Sequence, residues 1–134
     1  MKRKNVLMIA FVLCIIISLT VFQDVEDDTV KPMDIVEDFF LAFEVSDYQT
    51  MKKYCTESCI DAYFHGGNVD GMVWAKLAGD AKEEPVDDHV TRVFVTVEME
   101  TAETSALYPA TETSFYIELI YSNGLWLING FPTG

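Results

Sequence analysis

The stretch TRVFVTVEME, residues 91–100, decides the fold: Val93, Val95, Val97 and Met99 fall on one side of an extended chain, and Arg92, Thr96, Glu98 and Glu100 on the other. Such alternation describes a strand with one face in a core and one in water, as in an antiparallel sheet. Residues 113–121 repeat it, with Phe115, Ile117 and Leu119 on one face and Ser114, Tyr116 and Glu118 on the other. Directly afterwards, Ser122-Asn123-Gly124-Leu125 supplies the Asn-Gly pair that a type I′ hairpin prefers, because both residues tolerate positive φ. Residues 125–128 are then the returning strand. Residues 72–81 read as one more strand, in which Ala75, Ala78 and Gly79 dilute the pattern.

Upstream of the strands the period is helical. In PMDIVEDFFLAFEV, residues 32–45, Ile35, Val36, Phe39, Phe40, Ala42 and Phe43 form one wide apolar face, with Glu37, Asp38 and Glu44 opposite. Pro32 suits a first helical turn and Asp34 complements the positive end of the helix dipole. Ser46 and Gln49 have capping-box spacing, which predicts a second helix over 47–54 with Tyr48, Met51 and Tyr54 inward. A third, over 57–64, ends at Gly66-Gly67, residues suited to a left-handed C-cap. Helices followed by three or four antiparallel strands give an α+β domain, with the N-terminal helices packed on one face of the sheet.

Charge and hydropathy address the chain to a membrane. Of its 9 Lys and Arg residues three are Lys2, Arg3 and Lys4, whereas all 22 acidic residues lie at Asp24 or later, leaving a net charge of −16 beyond the apolar segment. That surface repels phosphate backbones and disfavours nucleic acid as a partner; cations, basic partners or plain solubility suit it. Residues 5–22, NVLMIAFVLCIIISLTVF, hold no charge and follow the basic cluster, the layout of a signal segment with its positive end in the cytoplasm. Ser18 and Thr20 make only a tolerable peptidase site. Leu19-Thr20-Val21-Phe22 has the outline of a lipoprotein signal with Phe22 where the acceptor cysteine belongs, and Leu13-Cys14 fits less well. Residues 1–22 therefore read as a signal anchor or uncleaved signal peptide, residues 23–31 as an acidic linker, and residues 32–134 as the domain, held at the cell membrane and facing outside. Cleavage and secretion is the alternative.

Phe39-Phe40 and Ala42-Phe43 in the first helix, Ser46-Asp47-Tyr48, Met51-Lys52-Lys53-Tyr54 and the terminal Gly124-Leu125-Trp126-Leu127-Ile128-Asn129-Gly130 resemble the nuclear-transport-factor-two-like, or cystatin-like cone, superfamily. The nearest likeness is to small secreted lipoproteins of Gram-positive bacteria that carry domains of unknown function, and it covers residues 32–134. The resemblance implies a cone of helices on a curled sheet. Its relatives include isomerases and dehydratases as well as domains that pair through the sheet face.

Catalytic chemistry is not written in this sequence. Cone enzymes need a buried carboxylate and a hydroxyl donor converging on the pocket, whereas the first-helix positions facing the cone are Phe39, Phe40 and Phe43. Asp47 is explained by helix initiation, and Asp61, Tyr63 and His65 are a trio only because they share a helix end. His65 suits a C-terminal dipole, and His89 after Asp87-Asp88 suits a polar turn. No metal site or cofactor is expected. Cys55 and Cys59, spaced Cys-x3-Cys, are read either as a disulfide or as two buried free thiols. Phe64, Trp74, Tyr116 and Trp126 are the candidate lining of a ligand cavity, against the alternative of sheet packing. The expected function is a noncatalytic, membrane-tethered extracytoplasmic domain binding a small apolar ligand or an envelope partner. An isomerase or dehydratase, and an assembly module that dimerises through its sheet face, are the alternatives.

Overall fold

The computed structural model describes residues 29–102 and 111–132. The apolar run 5–22 lies outside them, as does most of the acidic linker; among the described residues no helix is long and apolar enough to cross a membrane. Helices α1 (Pro32–Glu44), α2 (Tyr48–Lys52) and α3 (Glu57–Tyr63) precede strands β1 (Phe64–His65), β2 (Asn68–Val69), β3 (Met72–Leu77), β4 (Lys82–Pro85), β5 (Val90–Thr101), β6 (Glu112–Ser122) and β7 (Leu125–Gly130). The domain is α+β, with helices against a strongly curled antiparallel sheet.

Helix α1 starts as its sequence dictates: Pro32 occupies the first turn, where a missing N–H costs nothing, and the Asp34 carboxylate accepts from the Lys31 backbone N–H at 3.0 Å. Val36, Phe39, Phe40, Ala42 and Phe43 are buried, and Ile35 packs beside them. They share one core cluster with the alternating residues Val93, Val95, Val97 and Met99 of β5 and Ile117 and Leu119 of β6, while α1 lies nearest β3 and β7. Burying Phe39 and Phe43 alone is worth on the order of 4 kcal/mol, comparable with the whole net stability of a marginal domain. Docking α1 on the sheet is therefore inseparable from folding.

The sheet has seven strands, in the order β1-β2-β3-β5-β6-β7 with β4 beside β5, rather than three or four. The additional strands are invisible to periodicity: β1 and β2 have two residues each, and β4 reads Lys-Glu-Glu-Pro. The strand expected over 72–81 ends at Leu77, and both β3 and β4 pair with β5. Leu77 pairs with Val97 and Lys82 with Phe94, so five residue steps on one side face three on the other. The surplus forms a bulge around Gly79 at φ 94°, a backbone setting that favours glycine. Further register shifts at Met72/Trp74 and Glu118/Leu119 bend the sheet again.

Two helix boundaries also differ from expectation. The cap of α2 is Asp47, whose carboxylate accepts from the Thr50 N–H at 3.2 Å, while Ser46 sits at φ 55° and donates its hydroxyl to the Val73 carbonyl at 2.9 Å. A tertiary hydrogen bond to β3 takes the hydroxyl that local spacing assigned to a cap. Helix α3 stops at Tyr63, and Phe64 enters a strand, so Gly66-Gly67 turns the β1–β2 hairpin instead of capping a helix. His65, expected at a helix end, lies in that hairpin opposite Asn68.

Candidate functional site

Alternation along β5 and β6 gives the sheet an inner face, packed on α1, and an outer one. The four aromatic residues singled out from sequence divide between them. Trp74 pairs with Glu100 and donates its indole N–H to that carboxylate at 2.8 Å, on the outer face. Tyr116 lies opposite Phe94 with ring centroids 5.2 Å apart, also outside. Phe64 is opposite the buried Val69 and packs on the core, with the Lys52 ammonium 5.9 Å from its ring centroid. Trp126 packs on the core from β7. No single cavity is lined by all four, because Trp74 and Tyr116 share strand parity with the charged residues beside them.

The space between α1 and the curled sheet is filled by side chains. Phe39, Phe43, Val95 and Leu119 are each 0% exposed within one cluster, and Phe131 closes it, 6.0 Å from both Phe39 and Phe115. Concavity appears instead at the hairpin end of the domain. There a cleft of about 470 Å³ runs between the start of α1 and the β6–β7 hairpin, lined by Val30, Pro32, Ile35, Tyr121, Leu125 and Trp126. The two-residue turn, Asn123 at φ 52° and Gly124 at φ 80°, sets Tyr121 opposite Trp126 with rings 5.2 Å apart. Val30, Tyr121 and Leu125 are exposed by 53%, 41% and 57%, an apolar surface without a cover among the described residues. His89 borders it: its carbonyl accepts from the Tyr121 N–H at 2.7 Å, and its ring is 6.4 Å from the tyrosine.

A second concavity of about 320 Å³ lies beside α1 and β3, between Phe40, Leu41 and Leu77. Glu37 and Glu44 flank it, and Lys76 approaches Glu44 at 3.8 Å. Glu37, Glu44 and Lys76 put three charged side chains on its lining, whereas the hairpin cleft has one, Lys31, and joins two aromatic rings to aliphatic walls. Tyr121 and Leu125 were not among the residues read from sequence as ligand contacts. The signal was present: an Asn-Gly turn of two residues fixes the register, and that register pairs Tyr121 with Trp126.

The polar candidates are explained locally. Asp47 accepts from the Thr50 hydroxyl at 2.7 Å and from the Thr50 N–H, and these bonds hold its carboxyl below the ordinary value of 3.8. Asp87 accepts from the N–H groups of His89 and Val90 at 2.7 and 2.8 Å, closing the turn before β5. Asp61 and His65 are exposed, while Tyr63 turns its ring onto Phe131 at 4.9 Å. Among the described residues no group of three or more His, Cys, Asp and Glu side chains is placed to hold a metal ion. Cys55 and Cys59 are both buried with free thiols; the Cys59 side chain, which favours the protonated Cys55 thiol, and then burial push that thiol far above its ordinary range. No protein-family model and no curated protein matches the chain. What stands is an α+β domain of acidic surface with a filled core and an open aromatic cleft at one end of its sheet.

Proposed function

We propose that the chain is a noncatalytic, membrane-tethered extracytoplasmic domain that docks an envelope partner through the hairpin cleft. The observation that carries this reading is the open apolar wall of Val30, Ile35, Tyr121, Leu125 and Trp126. An occupant of an open cleft inserts side chains and leaves, whereas a sequestered small ligand needs an enclosed interior, and here Phe39, Phe43, Val95 and Leu119 occupy that space. The net charge of −16 beyond the apolar segment favours a partner with basic residues around its apolar anchor. The cone-superfamily likeness is consistent with a helix seated in a curled sheet.

A photoreactive residue at Leu125 of the full chain, activated in cells, tests the docking. A discrete protein adduct from position 125 and none from Glu112, at the far end of β6, is the expected outcome. Adducts to a small molecule would transfer the cleft to the apolar-ligand reading, and equal labelling from both positions would refute a site there. The tether is tested separately. The protein should fractionate with membranes, resist alkaline carbonate and carry no thioether-linked lipid, while external protease digests the domain. Mature protein in the medium starting near Val21 or Gln23 would refute the anchor. The double change Val21→Gly and Phe22→Cys should convert the segment to a lipoprotein signal by restoring the small residue and the acceptor thiol.

Self-association through the outer sheet face is a second reading, favoured by the half-buried Phe94–Tyr116 pair with centroids 5.2 Å apart. Sedimentation at micromolar concentration should then show a dimer that Tyr116→Lys dissolves.

A further inference from the structure

The loop between α2 and α3 is fastened to β7 by backbone hydrogen bonds on either side of Cys55. The Ile128 N–H donates to the Tyr54 carbonyl at 2.8 Å, and the Thr56 N–H donates to the Ile128 carbonyl at 2.9 Å. Thr56 then caps α3: its backbone is extended, at ψ 159°, and its hydroxyl oxygen accepts from the Cys59 N–H at 3.2 Å. That same hydroxyl donates to Asn129 Oδ1 at 3.0 Å, so the cap too is tied to β7. Cys55 is the residue before the cap and Cys59 is the third residue of the helix. The extended backbone at Thr56 breaks the chain between α2 and α3, so Cys55 and Cys59 do not sit on one continuous helix. Both side chains enter the same cluster, at 7% and 0% exposure. The Cys55 thiol donates to the Met51 carbonyl at 3.4 Å, and the Cys59 side chain beside it disfavours its thiolate.

From this arrangement we infer that Cys55 and Cys59 are a built disulfide site: when the chain folds in the presence of a disulfide oxidant, the two sulfurs join and staple the start of α3 to the loop held on β7. The inference stands on the side-chain arrangement and does not depend on what occupies the hairpin cleft. In the reaction one cysteine thiolate attacks a disulfide RS–SR, forming a mixed disulfide and releasing RS⁻. The second thiolate attacks that mixed disulfide, forming the Cys55–Cys59 S–S bond and releasing the second RS⁻. The two cysteine sulfurs are oxidised, the two donor sulfurs are reduced, and the two cysteine protons end on the released thiols. Burial dictates the timing. Thiolates are disfavoured in the apolar core and an oxidant cannot reach them, so the bond forms while α3 is still undocked. Cys14, in the apolar segment, takes no part.

The test uses the full chain in detergent micelles. Refolding from denaturant with oxidised glutathione, followed by denaturing alkylation, should leave one of the three cysteines alkylated, Cys14, and yield a peptide spanning Cys55 and Cys59 lighter by two hydrogens. The oxidised protein should melt higher than the reduced one by roughly 5–10 °C, the scale for closing so short a loop in a domain of this size. The folded reduced protein should resist both oxidation and maleimide over the same interval. A Cys59→Ser chain refolded identically should show no rise in melting temperature. Recovery of alkylated Cys55 and Cys59 after oxidative refolding would overturn the inference, as would pairing with Cys14. A disulfide that lowers the melting temperature would also overturn it, because the site would then be strained rather than built.

Discussion

Replacing Phe39 by alanine separates a core filled by its own side chains from one that holds a ligand. The Phe39 ring is fully buried and meets Phe40, Phe43 and Phe131 at centroid distances of 5.3, 5.8 and 6.0 Å, so three neighbouring rings hold the walls in place. Removing it leaves a void on the order of 100 Å³, which at ~24 cal/mol per Å³ costs ~2.4 kcal/mol, and loss of the ring's transfer energy brings the total to about 4 kcal/mol. For a domain of about 100 residues that corresponds to a melting temperature lower by roughly 20 °C. Urea and thermal unfolding of the full chain, followed by tryptophan fluorescence, measure the change. A dry apolar void of this size also admits benzene. Saturating benzene should therefore raise the melting temperature of Phe39→Ala and leave the parent chain unmoved. A cost below ~1 kcal/mol, or equal stabilisation of the parent by benzene, would refute a close-packed interior.

Leu125→Asp should change stability by less than ~0.5 kcal/mol, since the side chain is exposed, yet lower partner labelling from a photoreactive residue at Val30 at least tenfold, because a carboxylate would have to enter an apolar interface unpaired. Gly124→Ala should cost about 1 kcal/mol in chemical denaturation by forcing a Cβ onto a residue at φ 80°. For Asp47 the folded pKa lies below the ordinary 3.8, so its stabilising contribution is complete above that value and is lost as pH falls through the folded pKa. Carboxyl chemical shifts should place its titration below 3.8, and Asp47→Asn, which keeps a capping oxygen, should remove this part of the acid dependence of unfolding.

The sequence was legible where a single period ran long enough to be counted. Strands β5 and β6 announce themselves because apolar and polar residues alternate through residues 91–100 and 113–121, and the Asn-Gly turn follows directly after β6. Helix α1 is legible for the same reason at the helical period. Strand β4 escaped because Lys-Glu-Glu-Pro has no apolar face, and its pairing with β5 depends on the chain rejoining that strand after the Gly79 bulge. Ser46 illustrates the opposite failure: its spacing to Gln49 is a valid local signal, overridden by the Val73 carbonyl 27 residues away. Of the cleft, the Tyr121–Trp126 pairing follows from turn length alone. Val30 and Ile35 join it only because α1 lands at that end of the sheet, which no local pattern encodes.

The cleft itself follows from element lengths. A helix of 13 residues spans ~20 Å at 1.5 Å per residue, whereas the 11 residues of β6 span ~37 Å at 3.4 Å per residue. One helix cannot cover the inner face of such a strand from end to end. Its buried face, Val36 to Phe43, shares one cluster with Val93, Val95, Val97, Ile117 and Leu119, and the strand continues past Leu119 to the hairpin. Alternation still points Tyr121 inward there, and the hairpin register brings Trp126 beside it, so the overshoot carries two aromatic rings approached only by the start of α1, at Pro32 and Ile35. Residues 29–31, leading into α1, form one wall of the same cleft. The segment that would tether the domain therefore enters it beside its most exposed aromatic surface. An occupant of the cleft then touches residues 29–31 as well as the sheet, and changes to Val30 or Lys31 should alter docking while leaving the core intact.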